Sequence, residues 1–206
     1  MLGRPVAVAA VLFVAGCASA PDGSRDWTAI QSKDPFSDQT TCRVTPTARV
    51  LNALIRPYSI GFYPLVEGRS DGVRVGLISG GIKVPAGRVQ IRIDANEAWT
   101  IETSETPVDS EAVNTRSITE AAMPPSLDPK LRESMRVASA TSSLAINQIV
   151  SPYTVTTGDK ARAIIDQMRQ GHQAIYRQIG TNAPNSTTGQ ISLGADFNAA
   201  LAACGI

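Results

Sequence analysis

The sequence is poor in several residue types that common functions require, and each shortage narrows what the protein can do. One histidine stands among 206 residues, and neither Cys42 nor Cys204 has a histidine or a second cysteine close by. A zinc site needs three or four nitrogen, sulfur or oxygen ligands, so we expect no metal site and no cofactor. Aromatic residues make up 5% of the chain, which argues against a platform that stacks bases or sugars.

The chain also lacks an excess of charge of either sign. It has 19 basic and 18 acidic residues, and no run of Lys or Arg stands out along it. Binding to a nucleic acid duplex requires several cations that converge on phosphates. The sequence therefore predicts no nucleic acid partner.

Residues 1–16 have the pattern of a lipoprotein signal peptide, a targeting segment that is removed. Arg4 precedes an uncharged apolar run at 6–15, which is too short for a permanent span of roughly 20 residues. The run leads into Val14-Ala15-Gly16-Cys17, which matches the lipobox of bacterial lipoproteins. We expect cleavage between Gly16 and Cys17 and lipid attachment at Cys17; an ordinary secretory signal that contains a cysteine is the alternative. The resemblance implies that Ala18 after the cysteine favours the outer membrane, with the domain facing the periplasm.

Cys42 and Cys204 remain once Cys17 carries lipid. In an oxidising periplasm, two cysteines so far apart are most simply one disulfide, which closes a loop of about 160 residues. A catalytic or metal-binding thiol is the alternative. Such a thiol is usually activated by a neighbouring cation or base.

The chain after the targeting segment divides into a tether and one domain. Residues 17–38 are rich in Ser, Asp, Gly and Pro, which predicts a flexible tether. Residues 39–206 are long enough for a single domain with its own core. We expect this domain to be mainly β (α+β), an antiparallel β-sandwich or meander with one to three short helices.

Four short segments at 58–66, 73–79, 88–94 and 98–103 have the composition of strands, and turn residues separate them. Val73, Val75 and Leu77 alternate with Arg74 and Gly76, so one face should be buried and the other wet. Consecutive strands joined by short turns predict an antiparallel meander.

The second half of the domain predicts helices and another hairpin. A long connection at 106–129 should end where Asp128 caps a helix that starts at Pro129. A helix that opens at Thr157 should bury a face and end at Gly171. Residues 172–179 then form either a strand or a continuation of that helix, and alternation favours the strand. The buried face of the helix that opens at Thr157 should consist of Ala161, Ile164, Ile165 and Met168. A strand at 189–193 and a short helix at 195–203 should complete the domain.

The pattern resembles the invasion-associated locus B family of bacterial envelope proteins. The resemblance spans residues 42–204 and implies a β-rich sandwich in the envelope, while the helical stretch at 128–150 departs from it. The segments that carry it are Val73-Arg74-Val75-Gly76, Arg92-Ile93-Asp94, Gln167-Met168-Arg169-Gln170-Gly171, Tyr176-Arg177, Ile191-Ser192-Leu193 and Asp196-Phe197-Asn198-Ala199-Ala200-Leu201.

Few residues suggest catalysis. A hydrolase needs a nucleophile with a base in reach, and His172 follows a glycine at the boundary of an element, where a surface role is more common. Asp94 with Glu97, or Glu102 with Glu105, could provide two carboxylates for glycoside cleavage. Both pairs stand at predicted strand ends and turns, where acids are usually solvated.

Two hypotheses follow from the sequence. The first is a lipid-anchored envelope protein with a non-catalytic binding or structural domain, which contacts the bilayer through Cys17 and binds an envelope protein, peptidoglycan or a small ligand. The second is a periplasm-facing hydrolase that works through carboxylates. Two inward-facing acids about 5 to 10 Å apart in a cleft would favour the second.

Overall fold

The fold is known from a computed structural model that describes residues 26–108, 128–180 and 188–206. Its nine strands are Trp27–Lys33 (β1), Thr40–Pro46 (β2), Ile60–Arg69 (β3), Gly72–Gly81 (β4), Arg88–Ile93 (β5), Trp99–Ile101 (β6), Tyr153–Thr156 (β7), Gln173–Ile179 (β8) and Thr188–Ser192 (β9). Its α-helices are Thr47–Ile55 (α1), Pro129–Val150 (α2), Gly158–Gln170 (α3) and Ala195–Ala203 (α4). The predicted class is confirmed, although the described ranges hold four helices rather than three, and α2 is 22 residues long.

The strands form two antiparallel sheets that share one core. The first sheet has the order β1-β2-β3-β4-β7 and the second has the order β6-β5-β8-β9. Val75 and Leu77 of β4 and Ile91 of β5 are fully buried in that core. The predicted face of α3 is buried with them: Ala161, Ile164, Ile165 and Met168. Each large aliphatic side chain removed from water stabilises the fold by about 1.5 to 3 kcal/mol.

The predicted strands exist, but their arrangement as one meander is wrong. β3 pairs with β4 in the first sheet, whereas β5 pairs with β6 and β8 in the second. Between β4 and β5 the chain passes through Gly81 and Gly87, both at positive φ, and the N–H of Ala86 donates to the carbonyl of Ser151. The connection thus carries the chain from one sheet to the other. Alternation shows which residues are buried, but it does not show which strand is the partner.

Residues after α3 form a strand, as alternation favoured. β8 pairs with β5 on one side and with β9 on the other. The turn that ends α3 is tight, because a Cβ on Gly171 would lie 2.3 Å from Cγ2 of Ile93. A residue with a side chain at position 171 would therefore collide with Ile93 of β5.

Part of the segment predicted as a flexible tether, 17–38, is a strand. Residues 27–33 form β1 and pair with β2 along their whole length. Trp27 is 2% exposed, its Nε1 donates to the carbonyl oxygen of Ser192 at 2.8 Å, and its ring packs against Phe197. One large aromatic side chain in a polar segment is enough to fix the strand, since it buries an unusually large apolar area.

Helices α1 and α2 lie outside the core. No helix was predicted at 47–55, and none of the residues of α1 is buried. α2 begins as predicted, with the Asp128 carboxylate accepting from the backbone N–H groups of Lys130 and Leu131. The predicted connection before α2 falls at 109–127 outside the described residues.

Cys42 and Cys204 are joined by a disulfide, as predicted. Their Cα atoms are 5.4 Å apart across a sequence separation of 162 residues. The bond attaches β2 to the end of α4. It therefore covalently closes almost the whole described domain.

Candidate functional site

Three neighbouring strands of the first sheet place a row of charges on the face opposite the core. The strand register sets Arg43 of β2 directly across from Glu67 of β3, and Glu67 directly across from Arg74 of β4. Directly opposite residues have Cβ atoms about 4.5 to 5.5 Å apart. The signs of the charges therefore alternate along the row.

Two further residues extend this row into a network. The Nε of Arg43 donates to Glu67 at 2.7 Å, and Arg69 Nη1 lies 3.4 Å from the other oxygen of Glu67. Arg69 Nε is 4.0 Å from Asp71, whose second oxygen accepts from Arg74 Nη2 at 3.1 Å. Among the described residues, three guanidinium groups thus share two carboxylates.

Four members of the network line a cavity of about 540 Å³, which we call the arginine groove: Arg43, Arg69, Asp71 and Arg74. The turn between β1 and β2 forms one wall, and Pro107 and Val108 contribute to another. The other charged groups of that turn are engaged locally: Lys33 pairs with Asp38 at 2.6 Å, and Asp34 accepts from two backbone N–H groups of its own turn. Hydrogen bonds from these N–H groups lower the pKa of Asp34.

Burial differs sharply among the members of the network. The side chains of Glu67 and Arg74 are 6% and 5% exposed, whereas those of Arg43 and Asp71 are 41% and 63% exposed. Arg74, predicted on the wet face of β4, is therefore covered. The buried members fix the geometry, and the exposed members can exchange partners with a ligand. Guanidinium groups bind carboxylates and phosphates through two parallel hydrogen bonds.

The first acidic pair considered for catalysis, Asp94 with Glu97, lies in the turn between β5 and β6. Both oxygens of Asp94 accept the backbone N–H of His172, and one also accepts that of Gln173. These bonds, that of Gln173 first, lower the pKa of Asp94. Glu97 is exposed. The His172 side chain is 94% exposed, with its Nδ1 3.7 Å from Asp94. The Asp94 carboxylate thus holds the turn between α3 and β8 through these backbone hydrogen bonds.

The second acidic pair closes a short 3₁₀ turn, Thr103–Glu105. Burial raises the pKa of Glu105, but hydrogen bonds from the backbone N–H of Glu102 and from Lys160 outweigh it, so the pKa is lowered. Lys160 Nζ lies 2.8 Å from both carboxylate oxygens, and Glu102 pairs with Arg88 at 2.9 Å. These contacts link the turn to α3 and β5.

The predicted cleavage and lipidation residues, Gly16 and Cys17, lie outside the described residues. Within 26–108, 128–180 and 188–206, no group of three or more His, Cys, Asp or Glu side chains could hold a metal ion. Within the same ranges, no helix is long and apolar enough to cross a membrane.

Sequence reasoning missed the arginine groove. Arg43, Glu67 and Arg74 are each an ordinary polar residue in an alternating strand, and only the register of three strands brings them together. The available signal was modest: Glu67 to Arg74 contains four charges in eight residues around a predicted turn. Comparisons of the chain with family models, with curated proteins and with solved structures find no match.

Proposed function

We propose that the chain is a lipid-anchored protein of the bacterial envelope whose β-rich domain binds a carboxylate-bearing ligand in the arginine groove, without catalysis. The single observation that carries the binding proposal is the cationic network of Arg43, Arg69 and Arg74 around a cavity of about 540 Å³. This volume lies within the range of small-molecule sites, about 300 to 1,000 Å³.

The proposed location in the cell envelope rests on two independent features of the chain. Residues 1–17 carry the lipobox pattern that ends at Cys17. Cys42 and Cys204 are bonded, and disulfides persist in oxidising compartments such as the periplasm. We place the protein on the outer membrane, facing the periplasm, because Ala18 follows the lipidated cysteine; the resemblance to the invasion-associated locus B family is in line with an envelope location.

The groove favours a carboxylate because Arg43, Arg69 and Arg74 line it and the Arg43 side chain is 41% exposed. A carboxylate that enters beside Arg43 can accept hydrogen bonds from its guanidinium, which carries five N–H donors. Asp71 is the internal acid that a ligand would compete with, because it is the most exposed member of the network. Peptidoglycan fragments carry free peptide carboxylates, so they fit this chemistry.

The test is calorimetric titration of the purified domain with a disaccharide-tetrapeptide fragment of peptidoglycan. Arg43→Gln should weaken binding by about tenfold or more, roughly 1.4 kcal/mol. Asp71→Asn should strengthen binding, because it removes the competing acid. Arg162→Gln is the matched control: Arg162 is 66% exposed on α3, where it pairs with Asp159 at 2.8 Å.

Two results would overturn the binding proposal. One is the absence of any heat with the fragment when circular dichroism shows a folded domain. The other is equal affinity for Arg43→Gln and Arg162→Gln. The anchoring half is tested separately by intact mass of the native protein, which should begin at Cys17 and carry acyl chains; a retained leader or a missing acyl mass would refute it.

A further inference from the structure

Six large apolar side chains are exposed around α1, and they form one surface, the α1 patch. Its members and their exposed fractions are Leu51 50%, Leu54 75%, Ile55 73%, Tyr58 86%, Ile60 62% and Ile82 41%. Contiguous apolar surface of this kind usually marks an interaction site. We propose that the α1 patch docks against the surface of the bilayer that carries the lipid anchor.

The members of the patch are neighbours in the fold. Leu51, Leu54 and Ile55 follow the i, i+3, i+4 spacing that puts side chains on one face of a helix. The turn that follows α1 is closed by the N–H of Ser59, which donates to the carbonyl of Arg56 at 2.9 Å. Ile82 joins the same surface, because its N–H donates to the carbonyl of Ser59 at 3.3 Å.

The charges around the patch suit an anionic lipid surface. Arg56 and Lys83 are both exposed beside it. The two stretches that build it, residues 45–66 and 72–93, contain no Asp or Glu. The exposed Asp26 lies near the start of α1, where it lines a cavity together with Leu51. Amphipathic helices with cations beside an apolar face bind the interface of anionic membranes, and tyrosine is favoured at that depth. A bilayer therefore fits this surface better than a charged soluble partner.

The path of the chain places the patch near the anchor. The carbonyl of Asp26 accepts the N–H of Thr47 at 2.9 Å, so the chain enters the described domain beside the first residue of α1. Nine residue steps separate Asp26 from Cys17, which limits the reach of that segment to roughly 30 Å. This step rests on the lipid at Cys17 in the proposed function. The arginine groove lies at the other end of β1, about 20 Å along the strand.

The experiment places a reporter on the patch in the full mature protein. Tyr58→Trp is compared with Phe36→Trp, since Phe36 is 93% exposed in the turn beside the arginine groove. Both proteins keep the buried Trp27 and the partly buried Trp99 as a common background. Each is reconstituted into phosphatidylcholine and phosphatidylglycerol vesicles that contain brominated acyl chains. We expect loss and blue shift of fluorescence for Tyr58→Trp and neither for Phe36→Trp.

A second variant reports on the apolar contact itself. Leu54→Glu combined with Ile55→Glu should abolish the quenching of Trp at position 58, and the fold should survive because both side chains are exposed. Equal quenching at 58 and 36, or quenching that persists in the double variant, would overturn the docking. A dimer in sedimentation that the double variant dissociates, together with an unquenched position 58, would also overturn it in favour of a second copy of this chain.

The experiment distinguishes a failure of the lipid anchor from a failure of the α1 patch to dock. Intact mass is measured on the same preparation. Acylated protein without selective quenching at 58 removes the docking and keeps the anchor. Protein without acyl mass that still shows selective quenching when mixed with the same vesicles keeps the docking and removes the anchor.

Discussion

Replacing both disulfide cysteines with alanine, Cys42→Ala with Cys204→Ala, should cost the domain a large part of its stability. The bond joins β2 to the end of α4, and both elements otherwise meet through noncovalent contacts alone. Removing it leaves the native contacts in place but allows the unfolded chain to expand. We therefore expect the effect to arise mainly in the unfolded state.

The magnitude follows from the separation of 162 residues. In the chain-entropy treatment, closing a loop of that length lowers the entropy of the unfolded chain enough to stabilise the folded state by about 5 kcal/mol at 25 °C. Domains of this size are commonly stable by about 5 to 15 kcal/mol. The loss is thus comparable with the whole stability of a marginal domain.

The assay is urea unfolding of the mature protein, followed by circular dichroism, for the wild type and the double variant. The variant should unfold at markedly lower urea, and the wild type in a reducing agent should move toward it. The slope of the transition should also rise in the variant, since a chain without a cross-link exposes more surface on unfolding. A loss below about 1 kcal/mol would refute the entropic reasoning. Alkylation of both thiols without reduction would refute the bond itself.

Three further predictions follow from single positions. Gly76→Ala should destabilise the domain by about 1 to 3 kcal/mol in urea unfolding, because its Cβ would lie 1.9 Å from the carbonyl oxygen of Thr154; an unchanged midpoint would contradict this. Burial, then the nearby Tyr63, raises the pKa of Tyr176 to about 12, so one tyrosine should resist ionisation at 295 nm and stability should fall as pH rises from 10 toward 12. Lys160→Met should destabilise by about 1.5 kcal/mol at pH 7, and the difference should shrink as pH falls through the lowered pKa of Glu105; a pH-independent difference would contradict that pairing.

Periodicity in the sequence predicted most of the individual elements but missed β1, β2, β7 and α1, and it predicted the assembly of the elements poorly. The alternation in β4 and β5 and the apolar face of α3 each identify a buried surface. Side chains that face the core recur about every two residues in a strand and about every 3.6 residues in a helix. β4 and β5 nevertheless belong to different sheets. The glycines and proline between them mark a turn, but they do not say where the chain goes next.

Strand β1 and the arginine groove were missed for a related reason. Trp27 stands in a segment whose average composition is that of a linker, yet its single ring is seated against Phe197. Arg43, Glu67 and Arg74 come from three strands, and their proximity depends on a register that no single strand encodes. Contacts between distant segments are the part of the fold that local patterns do not determine.

Under the proposed envelope location, the disulfide would also constrain the order of events during export. A chain that crosses the inner membrane amino end first presents Cys42 to periplasmic oxidants 162 residues before its partner. Throughout that interval the only other thiol delivered is Cys17, which could pair wrongly with Cys42. Acylation of Cys17 would remove this competitor, so the same modification that anchors the protein would protect the correct pairing.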